Sequence, residues 1–324
     1  MKKMFFLIMM AIMVIGCKDE EIIKESNESE ELAAISSKGR EVGMLRFGSV
    51  RELEAFVAER IESKSDLLDE ARAFSDKGIY NPLLMVYNLE AEEAKELGIE
   101  EKNIPTVASD DDMLLLMLNQ DGEIGIEDKI FRIDEDFVYT YVEGGDDEID
   151  TFLEKYNGGG IKMENGQTIE FSKGLTVYKH DNVIKDGREN LVARNQTGFD
   201  NFNNNHRMKS RQFHGYWVFY SSIGAKTLVE QRRRFLWWSW WKNIKANNNL
   251  QFELSYRVNS TFGFPPVFLN TSGSSGCTNC NQHQRVYNWS VGFPVAPNVY
   301  IPLDGMTRHQ ATWNGITRTR TLFY

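Results

Sequence analysis

In the first half of the chain, apolar positions recur every three or four residues. Leu53, Phe56, Val57 and Ile61 fall on one helical face, and Ser49 with Glu52 forms a capping box ahead of them, so Ser49–Ser63 is predicted helical. Leu67, Leu68, Ala71 and Phe74 repeat the pattern over Ser65–Phe74, and Glu90–Leu97 ends at Gly98, a C-cap glycine. Asp110–Leu118 opens on acids that suit the helix dipole and is apolar all round from Met113 onward, which predicts a buried helix. Asp146–Tyr156 places Ile149, Phe152, Leu153 and Tyr156 together. Between these last two, Asn119-Gln120-Asp121-Gly122 reads as an Asx turn leading into three short strands, Glu123–Ile126, Lys129–Ile133 and Phe137–Val142.

After Gly160 the period shortens to two. Asn165-Gly166 between Ile161–Met163 and Gln167–Phe171 is a strong hairpin signal. Leu175–His180 follows, and Asp186-Gly187 is a turn. Strands are predicted at Tyr216–Ser222, Lys226–Phe235, Leu250–Val258, Arg285–Val291, Val299–Pro302, Arg308–Trp313 and Ile316–Phe323. Leu250, Phe252, Leu254, Tyr256 and Val258 alternate with polar residues most clearly. Asn195–Asn205 and Asn270–Gln284 read as loops on their asparagine, serine and glycine content. The predicted fold class is α+β: a small N-terminal helical domain with a β-meander, then a mostly antiparallel, sandwich-like C-terminal domain.

Charge sharpens the division. Residues 18–160 hold 38 acids against 15 bases, whereas residues 161–324 hold 20 bases against 9 acids and all seven tryptophans. A break this abrupt marks a boundary at Asn157-Gly158-Gly159-Gly160 and suggests that the halves attract each other. The expected organisation is a signal peptide at 1–16, an acidic tether at 17–44, an acidic α+β domain at 45–157 and a basic, aromatic-rich β domain at 161–324.

The first residues supply an address. Lys2 and Lys3 precede an apolar run, Met4–Ile15, that is too short to span a bilayer, and Gly16-Cys17 closes it. This is the pattern of a bacterial lipoprotein signal, in which the Cys17 thiol takes a diacylglycerol before cleavage ahead of it. Lys18-Asp19-Glu20-Glu21 then resembles the surface-export signal of Bacteroidota lipoproteins, which implies the outer membrane and a face toward the cell exterior.

Candidate chemistry is sparse. Cys277-Thr278-Asn279-Cys280 reads as a disulfide bracing a loop, which an oxidising location permits; zinc would need two further ligands, such as His283 and His309. Ser272-Gly273-Ser274-Ser275-Gly276 lacks the glycine spacing of a nucleophile elbow around either Ser274 or Ser275. His206, His214 and His309 remain candidates for a base, although histidines in a chain this long usually lie on the surface. The densest feature joins Arg232, Arg233 and Arg234 to Trp237, Trp238, Trp240 and Trp241. Cations among aromatic rings suit an anionic or ring-bearing ligand; half of these tryptophans as core residues is the plainer alternative. No cofactor and no metal site is implied.

Two blocks carry a family resemblance. Ile104-Pro105, Met113–Leu118, Asn119–Ile124 and Lys129–Ile133 resemble a block that recurs in uncharacterised Bacteroidota surface lipoproteins, and Trp217–Thr227 is similar to a later one. The resemblance implies no catalytic residue. The expected function is a lipid-anchored, non-enzymatic binding or adhesion module for a glycan, an anionic polymer or a protein. The alternatives are an enzyme acting on an extracellular polymer and a structural component of an outer-membrane assembly. The anchor is testable: Cys17→Ser should abolish labelled-palmitate incorporation and release the chain from membranes, and a variant that still fractionates with membranes would contradict the lipoprotein assignment.

Overall fold

The computed structural model describes residues 43–63, 66–89, 105, 107, 109–180, 183–185, 191–193, 195–235 and 238–324, with the backbone alone at 183–185, 191–193, 195, 234, 235 and 238–240. The expectations for the signal peptide, Cys17, Lys18–Glu21 and the tether up to 42, for the helix at 90–97 and for the Asp186-Gly187 turn lie outside these residues. The described chain is mostly strand, in several antiparallel sheets with a few helices. No helix among the described residues is long and apolar enough to cross a membrane.

The N-terminal portion is built on a six-stranded sheet. β1 (Arg46–Phe47) runs parallel to β2 (Glu123–Ile126), and β3 (Lys129–Ile133) and β4 (Phe137–Tyr141) continue antiparallel as the predicted meander. Asn119 Oδ1 accepts from Asp121 N at 3.0 Å and Glu123 N at 2.8 Å, which makes the Asx turn. Gly122 takes φ +79° there, and a Cβ would meet the Ile133 carbonyl at 2.6 Å, so the turn requires glycine.

Both faces of this sheet are buried, following the strand period of two. Ile124, Ile126, Phe131, Ile133 and Val138 pack with α1 (Val50–Ser63), α2 (Leu67–Asp76), α3 (Leu83–Val86) and α4 (Asp112–Met117). Ile130, Phe137, Tyr139 and Tyr141 face α5 (Asp147–Asn157) through Ile149 and Phe152. The capping box forms: Ser49 Oγ accepts from Glu52 N at 3.3 Å, while the Glu52 carboxylate turns back to Gly48 N at 2.8 Å. Asp66 Oδ1 caps α2 through Leu68 N. All six residues of α4 are buried, as its apolar circumference predicts.

The sheet does not stop at the triple glycine. β5 (Thr168–Glu170) and β6 (Leu175–Lys179) complete it, β6 pairing with β4 from Phe137↔Lys179 to Tyr141↔Leu175. The compositional break at 158–160 therefore lies inside one sheet. The strand pair predicted around Asn165-Gly166 is displaced: Gly166 does turn the chain, at φ +78°, but the pairing forms between β5 and β6 instead.

A short pair, β7 (Val183–Lys185) with β8 (Leu191–Ala193), leads to two larger antiparallel sheets. The first contains β9 (Asn195–Asn203), β10 (His206–Tyr216), β11 (Tyr220–Phe235) and β12 (Trp238–Ile244). β15 (Gln282–Val291) shares the β12 edge of β11. The second runs in the order β14 (Val267–Cys280), β13 (Ala246–Ser260), β16 (Asn298–Trp313), β17 (Ile316–Phe323). Ile223, Leu254, Tyr256 and Tyr300 form one apolar cluster between these sheets, and Phe202, Met208, Val229, Ala246 and Ala311 form another.

Two expectations are corrected here. The loop expected at 195–205 is largely strand, paired with β10 from Phe213↔Asn195 to His206↔Asn203. The loop expected at 270–284 is largely strand as well, held to β13 from Val258↔Val267 to Ala246↔Cys280. Both segments owe their form to backbone ladders, which ask little of the side chains.

Beyond the β4–β6 ladder, the acidic and basic parts are linked through the run Asp110-Asp111-Asp112. Asp111 is fully buried as the N-cap of α4, where its Oδ1 accepts from Met113 N at 2.9 Å and Gln284 Nε2 at 2.8 Å. Its Oδ2 accepts from Tyr220 OH at 2.7 Å and Ser222 Oγ at 2.5 Å. Asp112 pairs with Lys226 Nζ at 2.6 Å, and Asp110 pairs with Arg211. Burial pushes the Asp112 carboxyl up to about 6 against the pull of Lys226, and pushes the Lys226 amine down. Around them Trp217, Phe219, Tyr220 and Val291 join the helical core. Truncating a buried carboxylate that takes four hydrogen bonds strands its donors, so Asp111→Ala should lower stability by about 3 kcal/mol or more in urea melts. A loss below about 1 kcal/mol, the net worth of a single ordinary bond, would show that the run is peripheral.

Candidate functional site

β10 alternates strictly over its first half: Arg207, Lys209 and Arg211 share one face, with Met208 and Ser210 on the other. Across the ladder Arg207 faces Glu230, Lys209 faces Leu228 and Arg211 faces Lys226. The outer face of the five-stranded sheet thus carries a column of cations. Its Arg211–Lys226 end is covered by the aspartate run.

At the other end a single carboxylate, Glu230, serves two cations. Arg207 Nε donates to it at 2.6 Å and Lys209 Nζ at 3.4 Å. The Arg207 guanidinium also lies 4.1 Å from the Phe199 ring centroid and 3.9 Å from that of Trp241. Phe199 is 43% exposed and Trp241 half-buried. A planar cation between two rings, one of them open to solvent, is a preformed contact for a flat or anionic group.

The predicted arginine–tryptophan cluster adjoins this stack. It forms a hairpin of β11 and β12 with Arg232↔Trp241, Arg233↔Trp240, Arg234↔Ser239 and Phe235↔Trp238 as cross-strand pairs. Arg232 is half-buried and Arg233 exposed. Trp237 and the side chains of Arg234, Trp238 and Trp240 lie outside the described residues. Of the cluster's described residues, the structure brings Arg232, Arg233 and Trp241 to one end of the sheet. It adds Arg207, Phe199 and Lys209, which come from β9 and β10 and were not singled out in the sequence. The alternating run Arg207-x-Lys209-x-Arg211 was the one signal that pointed to them.

The histidine candidates serve the framework. His206 stacks on Trp313 at 3.9 Å between centroids. His309 is buried between the sheets, 2.8 Å from Thr227 Oγ1 and 2.7 Å from Thr307 Oγ1, and burial pushes its ring down to about 3. It is therefore neutral at physiological pH. His214 is fully buried. Cys277 and Cys280 are joined as a disulfide with Cα atoms 6.0 Å apart, at the end of β14. Among the described residues, no group of three or more His, Cys, Asp and Glu side chains gathers as a metal site.

One small cavity lies beside the disulfide, lined by Arg60 and Ile61 of α1, by Asp66 and Leu67 at the start of α2, and by β15. Its volume is about 70 Å³, and Asp66, Asp112, Ser275, His283 and Gln284 contribute to its lining. Ser275 Oγ is 2.9 Å from His283 Nε2, a pair that the elbow spacing gave no reason to expect. Asp112 Oδ2 has no hydrogen-bond partner among the described residues. A volume this small suits ordered water rather than a substrate, since ligand sites run to roughly 300 Å³ and above.

Comparison of the chain with protein-family models, with curated proteins and with solved structures finds no match, so the reading of function rests on the geometry of the site.

Proposed function

We propose that this chain is a lipid-anchored, outward-facing surface protein of Bacteroidota type. In this reading it is an α+β chain with a sandwich-like C-terminal unit that binds an extracellular ligand without chemistry. Its contact face is the open end of the cationic sheet: Phe199, Arg207, Lys209, Arg232 and Trp241, whereas Arg233, the next residue on β11, leaves the opposite face. The observation that carries this reading is the stack of Arg207 between Phe199 and Trp241. The chemistry fits an anionic glycan or a related anionic polymer, whose rings lie on the aromatic faces while its acids meet the guanidinium groups.

One observation favours an enzyme acting on an extracellular polymer, namely the Ser275–His283 pair. Against it stands the size of the adjoining cavity, about 70 Å³, which admits no polymer segment.

The test measures binding of polygalacturonate and of heparin to wild type, Arg207→Lys and Arg232→Ala at about 0.05 M and 0.3 M salt, with thermal melts alongside. Arg207→Lys keeps a charge for Glu230 but loses the planar stack, so binding should fall about tenfold with a melt shifted by only a few degrees. Wild-type binding should weaken as salt rises, because the polymer's charges and the long-range field that draws them in are screened in solution. Equal binding by all three proteins, or none by wild type, would refute this face as the site.

A further inference from the structure

The hairpin between β13 and β14 has an end unlike the rest of the surface. Phe262 is 64% exposed, Phe264 69%, Val267 54% and Phe268 66%. Singly exposed apolar residues are ordinary, but this many at one tip are not. Val267 and Phe268 are neighbours on a strand, so their side chains leave opposite faces of the hairpin, yet both are open to solvent. A protein groove covers one face of such a hairpin. An apolar medium that surrounds the tip covers both.

Two further features select the same medium. No Asp, Glu, Lys or Arg occurs from Val258 to Gln284, so the tip can enter an apolar layer without dragging a charge into it. The N–H donors of the loop are also nearly spent, while the carbonyls of Thr261–Pro266 accept no hydrogen bond among the described residues and so keep the loop near the hydrated headgroups. Thr261 N donates to Pro297 O, Phe262 N to Ser260 Oγ and Gly263 N to Ser260 O, while Pro265 and Pro266 have no N–H. Within Thr261–Pro266 only the Phe264 N–H lacks an acceptor among the described residues. Unsatisfied backbone donors are what normally keep loops out of lipid.

We propose that the tip, Phe262 to Phe268, is a lipid-contacting wedge that dips into the interfacial and upper acyl region of a bilayer. Arg257, paired with Phe268 across the hairpin, stays at the headgroup level and limits entry to about 10 Å. The wedge would orient a tethered chain on its membrane. It does not depend on the cationic face, which lies on the other sheet.

The test uses the processed polypeptide, Cys17 to Tyr324, with Cys17→Ser so that no acyl chain contributes. Co-sedimentation with phosphatidylcholine vesicles is compared for this protein and for Phe262→Ser/Phe264→Ser/Phe268→Ser, at about 0.05 M and 0.5 M salt. The unsubstituted tip should bind, with little salt dependence, and the triple variant should bind about tenfold less or weaker, with an unchanged thermal melt because these rings are exposed. Vesicle binding that survives the triple substitution would overturn the wedge. Salt-sensitive binding confined to vesicles with phosphatidylglycerol would overturn it too, assigning the contact to the cationic face. So would a tip-dependent dimer in sedimentation velocity with no vesicle binding, which would make a second copy the occupant.

Discussion

Three consecutive carboxylates buried against a cationic sheet are the constraint on which the rest of this structure turns. Buried aspartate is costly, and each of these is compensated from across the chain: Asp110 by Arg211, Asp111 by Tyr220, Ser222 and Gln284, and Asp112 by Lys226. The compensating groups lie about a hundred residues or more away in sequence, so they are in place only when the five-stranded sheet has formed and docked. Apolar packing around them, from Leu114 and Leu116 to Trp217 and Tyr220, supplies the bulk of the burial. The ionic run fixes where that packing occurs, because sliding the helices along the sheet by one residue would strand a charge.

The same run explains why the two ends of the cationic column differ. Arg211 and Lys226 are consumed by Asp110 and Asp112, whereas Arg207 and Lys209 share one buried glutamate and are propped by aromatic rings. The charge asymmetry of the sequence is thus divided between an internal role and an external one. The covered end holds the acidic half; the open end is the face we propose for a ligand.

Much of the fold was legible where side-chain pattern and local structure coincide. The capping box of α1, the uniformly apolar α4, the β2–β4 meander and the alternation of β13 are all read directly from residue spacing. What failed to show was held by distant backbone. Asn195–Asn205 and Asn270–Gln284 carry the composition of loops, and only ladder partners make most of each a strand. The strands expected at Tyr216–Ser222 and Lys226–Phe235 are divided differently: the chain turns at Trp217–Phe219, between β10 and β11, and β11 then runs on through Gly224, where a Cβ would meet the Arg285 carbonyl at 2.5 Å and the Phe213 ring at 2.6 Å, so that glycine answers to close packing. The triple glycine coincides with a change of charge but not with the end of a sheet, because β6 completes the first sheet by hydrogen bonding that composition does not record. At the site, Arg232 and Trp241 could be named from their clustering, whereas Arg207 could not, since its partners Phe199, Glu230 and Trp241 converge from three other strands.

The central claim is that acidic and basic halves form one cooperative unit through the aspartate run and the shared sheet. Producing residues 161–324 alone tests it most directly. Without the aspartates, Arg211 and Lys226 lose their partners, and β5 and β6 lose the edge of β4 to which they belong. The fragment should show no cooperative transition in urea or on heating. A sharp, two-state transition of the isolated fragment, with its strand content intact, would contradict the account.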